Sequence, residues 1–544
     1  MSGKSKCNDT GEQEYLSDSS IERQLCEFDN LVSEGDIVIS DTSSDAPHEE
    51  IIDLVLDEEE DRAAAEPSSG NADNKEGPEF PDGTVRLTHI LGEPKDTSKY
   101  YSLTDLLQPS KLRKALLTTY VLDVEWLLMH TGLSTKLVIV KSYSPSEEQS
   151  GVYQSEDGRI TFVNPVFGVQ KYPVMHSKIM LLFYDDYVRF VALSANLIEI
   201  DWTVLANIMY IQDFPYKSGT QLDQNYSSGN GQNSQQRGLS FCESLKAALR
   251  DMDVPEQVVK QMDGIDMSRA RVHVVTTVPT SRIRLKGKHA DSYGISRLGS
   301  IAQAMRRESK VSDSEWFDTK LFCYGSSLSR LDAKYLDSFY KYVLNKTISL
   351  PGSLCMSLGY SGEEAYTSHV IHQNIAAGFH TLDQTNTNKY GAIPKSCIMF
   401  PSDAYFSSEY PSFALHKISP KVPDVLVHAK IILARHGESS GWMYLGSHNF
   451  TRGAWGTIGG GRFGGSSQYY NNYEFGIVLP DVQYKNHSAA GGRTVIVWNG
   501  AEIPVPFEPS PWTRYGEADM PKTANCPSWA LSSDLSPCRP KGVE

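Results

Sequence analysis

Two segments of this chain carry the same chemical groups at nearly the same spacing. The first, HSKIMLLFYDDYVRFVALSANLIEIDW, runs from His176 to Trp202; the second, HAKIILARHGESSGWMYLGSHNFTRGAW, runs from His428 to Trp455. Each opens H-x-K-I, so His176 and Lys178 are answered by His428 and Lys430, 252 residues later. Asn196 follows its histidine by 20 residues and Asn449 by 21, and a tryptophan stands six residues beyond each asparagine. With 14 His and 29 Lys in 544 residues, chance supplies about 0.7 H-x-K matches, so one alone carries no weight. Two that share a distant Asn and Trp indicate an internal duplication.

The set has a clear electrostatic preference. Two imidazoles, two ammonium groups and two carboxamides, brought together, bind an anion rich in oxygens and offer histidines on opposite sides of it. Phosphoryl transfer suits that arrangement: one histidine attacks phosphorus and the other protonates the leaving group. Lysines and asparagines then stabilise charge on the non-bridging oxygens. No metal and no cofactor is called for.

Positioning these groups falls to strands. Side chains at i and i+2 share a face, so the histidine and lysine of each segment point the same way from an apolar run. A polar turn returns the chain and leaves the asparagine at the end of the neighbouring strand. Around these segments, YVLDVEWLLMHTG reads as helix and TKLVIVKS as strand, followed by a helix at CESLKAALRDM and a strand at RVHVVTTVP. The fold class expected is α/β: two similar domains, each a mixed sheet flanked by helices, related by a pseudo-two-fold around one shared site. The boundary is placed near residue 266, giving an N-terminal domain over 81–266 and a C-terminal one over 267–544. DFPYKSGTQLDQNYSSGNGQNSQQRG reads as a loop.

The net charge of −16 belongs to one end. Residues 1–80 hold 23 Asp+Glu against 5 Lys+Arg, a charge of −18, which leaves the body at +2. The acidic total therefore does not exclude a nucleic-acid substrate. Residues 1–80 read as a disordered tail, within which DIVISD and IIDLVLDEEED are short β-prone runs flanked by acids. Such runs resemble binding motifs for the modifier SUMO and suit addition to a basic sheet edge. No segment approaches the roughly 18 apolar residues of a membrane span. The eight cysteines lack zinc or disulfide spacing, so a soluble intracellular protein with reduced thiols and no membrane partner is expected.

The two H-x-K segments resemble the phospholipase D superfamily, whose hallmark is a pair of such motifs forming one site. The usual motif continues to an aspartate, where this chain has Phe183 and Arg435. That departure resembles the tyrosyl-DNA phosphodiesterase branch, as do LDVEW, SANLIEIDW, VPTSRIRLKGKHADSYG, YGSSLSRLD, NNYEFGIVLP and IPVPFEPS, extending the likeness over residues 85 to 515. The resemblance implies DNA carrying a 3′-phosphotyrosyl or other 3′ adduct as substrate, the tyrosine coming from a topoisomerase I-derived peptide, and 3′-phosphate as product. It makes His176 the nucleophile and His428 the acid and later base, with Lys178, Lys430, Asn196, Asn449 and Ser447 around the phosphate. Asp201 and Glu474 replace the missing motif aspartates, serving His428 and His176 respectively; an imidazole so held is expected to have a raised pKa. A nucleus-located monomer follows from the same likeness.

Ser326, Ser329 and Thr451 match family positions near the DNA backbone, and small hydroxyls suit phosphate without reading sequence. RIRLKGKH, Arg282 to His289, has bases at alternate positions and reads as a basic strand face able to track single-stranded DNA. Two alternatives stay open: a nuclease of the same superfamily cutting ordinary diesters, and a phosphatidyl-transfer enzyme or lipase. A non-enzymatic DNA-binding scaffold is disfavoured by the intact set of six.

Overall fold

Apolar runs without alternation mark strands covered on both faces, and the strands that follow the two H-x-K segments are of this kind. All five residues of Ile179–Phe183 are buried, as are five of the six in Ile431–His436. A computed structural model of the protein describes residues 77–521 apart from 145–147, 169–172, 218–230, 286–287, 289–291, 310, 330–331, 345–373, 402–413, 461–465, 488–492 and 517–518. The acidic tail and its two apolar runs lie outside the described residues, except at its last positions.

The first sheet has nine strands. In order across it run Tyr100–Tyr101, Thr84–Thr88, Ile208–Pro215, Tyr187–Leu193, Ile179–Phe183, Lys114–Thr119, Lys136–Lys141, Ile160–Asn164 and Gly151–Gln154. The second sheet has ten: Ala501–Ile503, Arg493–Trp498, Glu474–His487, Ser440–Gly446, Ile431–His436, Lys320–Tyr324, Ile375–Phe379, Leu415–Lys417 and Thr513–Arg514, with His273–Thr277 also paired to Glu474–His487.

One six-strand pattern recurs in both. In the first sheet the strands beginning at Ile208, Tyr187, Ile179 and Lys114 are successively antiparallel, and those at Lys136 and Ile160 then add in parallel. In the second, the strands beginning at Glu474, Ser440, Ile431 and Lys320 are antiparallel, and those at Ile375 and Leu415 add in parallel. The fold is α/β, two similar mixed sheets flanked by helices such as Gly231–Asp251, Gly294–Glu308 and Ala333–Leu344. The sheets share a core: Phe190 of the first meets Phe475 of the second at 6.0 Å between ring centres, and Tyr210 meets Trp498 at 5.9 Å. Burying an aromatic of this size contributes roughly 1.5–3 kcal/mol, so the two halves are joined by packing as well as by chain. Among the described residues no helix is long and apolar enough to cross a membrane.

Three local expectations need correction. The H-x-K residues precede their strands, which begin at Ile179 and Ile431. The expected loop is narrower: Asp213 to Pro215 close a strand, and the helix expected at CESLKAALRDM begins already at Gly231. Thr280–Leu285 is a helix, so Arg282 and Arg284 share no strand face, while Lys286 and His289 of the same run lie outside the described residues. Alternation over so few residues fits either period, and here the helical one holds. Arg282 is moreover paired with Asp253 at 2.5 Å, and Lys288 with Asp251.

Candidate active site

Each histidine is placed by a backbone bridge to the opposite half. Met175 pairs with Tyr473 and the His176 N–H donates to the Tyr473 carbonyl at 2.9 Å. In the same way Ala206 pairs with Val427, and the His428 N–H donates to the Ala206 carbonyl at 2.9 Å. Tyr473 and Ala206 sit just before equivalent strands, so the repeat extends to the contacts that join its halves. His176 is 8% exposed and His428 6%, open enough to be reached, while Lys178 and Lys430 are 0% exposed.

Both lysines fold back on their own segment. Lys178 Nζ donates to the His176 carbonyl at 3.0 Å and Lys430 Nζ to the His428 carbonyl at 2.5 Å. Each keeps further N–H bonds for a ligand. Lys178 also lies 5.9 Å from the centre of the Tyr120 ring, which is 5.5 Å from the His176 ring. The asparagines are oriented alike. Asn196 Oδ1 accepts from the Val121 N–H at 3.3 Å, and Asn449 Oδ1 accepts from the Ser327 N–H at 3.1 Å and the Ser326 hydroxyl at 3.3 Å. With each oxygen held, the NH2 group is the side presented elsewhere. Gly325 permits this approach, since a Cβ there would stand 2.7 Å from the Phe450 nitrogen.

The carboxylates cross between halves. Glu474 Oε2 lies 2.7 Å from His176 Nδ1 and also accepts from the Ser447 hydroxyl at 2.5 Å, while Asn472 donates to Oε1 at 3.0 Å. Asp201 Oδ2 lies 3.3 Å from His428 Nδ1, close enough for charge but off the line of a hydrogen bond, and it accepts from the Asn196 N–H at 2.5 Å. The difference has a topological cause. Ser194, the equivalent of Ser447, donates to Asn207 at 2.8 Å, so Asn207 occupies in the first half the place Glu474 has in the second. His428 is served instead from the short helix Glu199–Thr203.

The site is tuned for an anion. Burial drives the Lys178 ammonium down to about 8, and burial plus Lys178 drives Lys430 down to about 7. Burial and Lys430 hold His428 down at about 4, against the pull of Asp201; burial likewise lowers His176 despite Glu474. The expectation that a carboxylate partner raises these imidazoles is therefore not met, because desolvation is larger. Burial alone would raise Glu474, but His176 brings it to about 2. Both carboxylates act on Lys178 and Lys430, which places the charges of the two halves in one cluster.

The remaining expected residues lie around this cluster. Ser447 is 0% exposed and turns to Glu474, and its Oγ accepts from the Phe475 N–H at 3.0 Å. Ser326 supports Asn449; Ser329 accepts from the Arg452 N–H at 3.1 Å; Thr451 caps the helix Arg452–Trp455 by accepting from Ala454 at 3.2 Å. Sequence reasoning missed His448. Its imidazole lies tilted against Trp455 at 4.5 Å between ring centres, shares a 2.5 Å hydrogen bond with the Tyr444 hydroxyl, feels the charge of Glu474, and burial lowers it to about 4. Its place beside Asn449 in SHNF was the available signal.

The comparisons with known proteins bear on family and fold. The family model described as tyrosyl-DNA phosphodiesterase matches residues 84–516. Tyrosyl-DNA phosphodiesterase 1 of Arabidopsis thaliana is 24% identical over 266 residues, a stretch spanning 47% of this chain and 41% of that protein's length. The crystal structure of yeast tyrosyl-DNA phosphodiesterase superposes with a TM-score of 0.55 at 15% identity, covering 81% of this chain and 100% of that one. A variant of the yeast protein gives 0.56 at 14% identity, over 82% and 100%. At these identities the likeness to the yeast structures is one of fold.

Proposed function

Because the chain belongs to the tyrosyl-DNA phosphodiesterase family, we propose that it is a phosphodiesterase that hydrolyses the bond between a DNA 3′-phosphate and a tyrosine. The observation that carries this reading is the crossed cluster of His176–Glu474 and His428–Asp201 around two lysines with lowered pKa.

With Nδ1 of His176 facing Glu474, its Nε2 is the nucleophile. The Nε2 lone pair forms a bond to phosphorus, the bond from phosphorus to the tyrosyl oxygen breaks, and that oxygen takes its electron pair and a proton from His428. Water then gives a proton to His428 and its oxygen attacks phosphorus. The phosphorus–nitrogen bond breaks, its electrons return to His176, and a DNA 3′-phosphate leaves. An incoming phosphodiester raises the pKa of both lysines and of His428, so substrate itself charges the acid. The lysines and the asparagine NH2 groups stabilise the non-bridging oxygens, a contribution of about 10²–10³ in rate for one such donor.

A phenolate, with a pKa of about 10, leaves more readily than an alkoxide, so other 3′ adducts depend more on His428. The test is a 5′-labelled single strand ending in 3′-phosphotyrosine, incubated with the protein in excess EDTA. Conversion to the 3′-phosphate is expected; no conversion by folded protein would refute the reading and direct attention to unmodified DNA and lipid diesters. The reading places the protein with nuclear DNA.

A further inference from the structure

The residue preceding each catalytic histidine is held by the neighbouring sheet strands, and the two halves hold it differently. In the second half both backbone groups of Val427 are gripped by side chains. Its N–H donates to His380 Nε2 at 2.9 Å, and its carbonyl accepts from the Tyr324 hydroxyl at 2.5 Å. Tyr324 ends the strand Lys320–Tyr324, and His380 directly follows its parallel neighbour Ile375–Phe379.

Strand register identifies the equivalents in the first half. Leu117 pairs with Met180 as Cys323 pairs with Ile432, which makes Thr118 the counterpart of Tyr324. Ile139 lies opposite Leu117 as Ala377 lies opposite Cys323, which makes Ser142 the counterpart of His380. Ser142 accepts from the Met175 N–H at 3.4 Å, a long bond. Thr118 engages the segment further along, at the Ser177 carbonyl and the Ile179 N–H, both at 2.9 Å. Val427 thus has two short side-chain bonds where Met175 has one long one.

We propose that His380, braced by Tyr324, is a positioning residue for His428, clamping Val427 so that the His428 ring meets the leaving-group oxygen and then the attacking water. This rests on the reading of His428 as proton donor. The need is specific to this half. His176 is held by a 2.7 Å bond to Glu474, whereas the contact of His428 with Asp201 is longer, at 3.3 Å. The ring of His428 therefore depends more than that of His176 on where its backbone is held.

The state of His380 supports the assignment. Since Nε2 accepts, the proton sits on Nδ1, which is buried without a hydrogen-bond partner among the described residues. Buried polar groups are ordinarily satisfied, so the fold tolerates one unsatisfied edge of this imidazole while using the other. His380 is 1% exposed, and burial holds its pKa down at about 3, which keeps Nε2 an acceptor at any working pH. Its ring stands edge-on to Tyr324 at 6.3 Å and 80°.

The test compares His380→Phe, which keeps a ring and removes the acceptor, with His380→Gln, which restores an acceptor. On an oligonucleotide whose 3′-phosphate is esterified to an alkyl alcohol, His380→Phe is expected to lower the single-turnover rate of alcohol release by up to about 100-fold, the scale of a misplaced catalytic group. On 3′-phosphotyrosine the single-turnover release of tyrosine falls less, and a covalent protein–DNA species builds up, because hydrolysis of the common intermediate still needs His428. His380→Gln is expected to recover most of both. Equal losses in the single-turnover release of the two leaving groups, no covalent species or no recovery by Gln overturns the proposal.

A readout independent of substrate is hydrogen exchange at the Val427 amide, protected in the wild type, faster in His380→Phe and slowed again in His380→Gln; unchanged protection also overturns it. If the wild type cleaves neither oligonucleotide while this exchange pattern appears, the functional reading fails and the clamp stands. Should His380→Phe not fold, Tyr324→Phe removes the other half of the clamp and must show the same substrate difference.

Discussion

His176 and Glu474 are 298 residues apart in the chain, and His176 Nδ1 lies 2.7 Å from the Glu474 carboxylate. His428 and Asp201 form the reciprocal contact at 3.3 Å. The two imidazoles are therefore not equally restrained, although the groups around them are alike.

The first prediction follows from that inequality. Glu474→Gln removes the charge that fixes the His176 tautomer and is expected to lower kcat on a 3′-phosphotyrosyl strand by about 10³–10⁴, the scale of losing such a carboxylate. Asp201→Asn is expected to slow the release of tyrosine far less, about tenfold, since a phenolate leaves with little help. Single-turnover kinetics on both variants checks it; equal losses would show that the two contacts do the same work.

His428→Ala is expected to attack a phosphotyrosyl end and then stall. A denaturing gel should show a shifted protein–DNA band that persists, while the wild type turns over. Absence of the band would reverse the roles given to the histidines.

Anion binding should take up protons. Burial brings Lys430 down to about 7 and Lys178 down to about 8, and a phosphate raises both. Calorimetry of a 3′-phosphate oligonucleotide at pH 8, in buffers of different ionisation heat, should report uptake of about one proton. Affinity should fall as pH rises through 7 to 8. Proton release, or no exchange, would contradict the lysine assignment.

Acid should destabilise the fold early. Burial holds His428 and His448 at about 4 and His380 at about 3, below the ordinary value of 6.5. Their native pKa is lowered, so the unfolded chain binds more protons below that value. Stability is lost as pH falls from about 6.5 toward 4, by about 1.4 kcal/mol per unit for each fully buried imidazole. Melting temperatures at pH 7, 6 and 5 should fall progressively, with a shallower slope in His448→Gln. A flat profile would mean these rings are more solvated than their surroundings suggest.

The site was legible in the sequence where duplication wrote it twice. His176, Lys178 and Asn196 have matching partners at matching distances, and only a shared structure explains that. Asp201 and Glu474 have no such counterparts, because Asn207 stands where a second Glu474 would be, and they came from family resemblance alone. Ser326, Ser447 and Thr451 also came from the resemblance, and their bonds to Asn449, Glu474 and Ala454 depend on the folded chain. His380 left no signal, and Tyr324 was visible only as the first residue of YGSSLSRLD, with nothing to mark its role, since each is one polar group at the end of an ordinary strand. The basic run at Arg282 misled because a few alternating charges cannot separate strand from helix.

The crossed carboxylates bear on how such a chain could arise. One half by itself would hold a histidine without its carboxylate and a carboxylate without its histidine. It would lack one histidine altogether and the carboxylate of the other, so a site of this kind needs two halves, whether they sit in two chains or in one. Two halves in one chain need no search for a partner and are free to differ. The exchange of Asn207 for a glutamate's place is a difference that a symmetric pair could never have kept on one side alone.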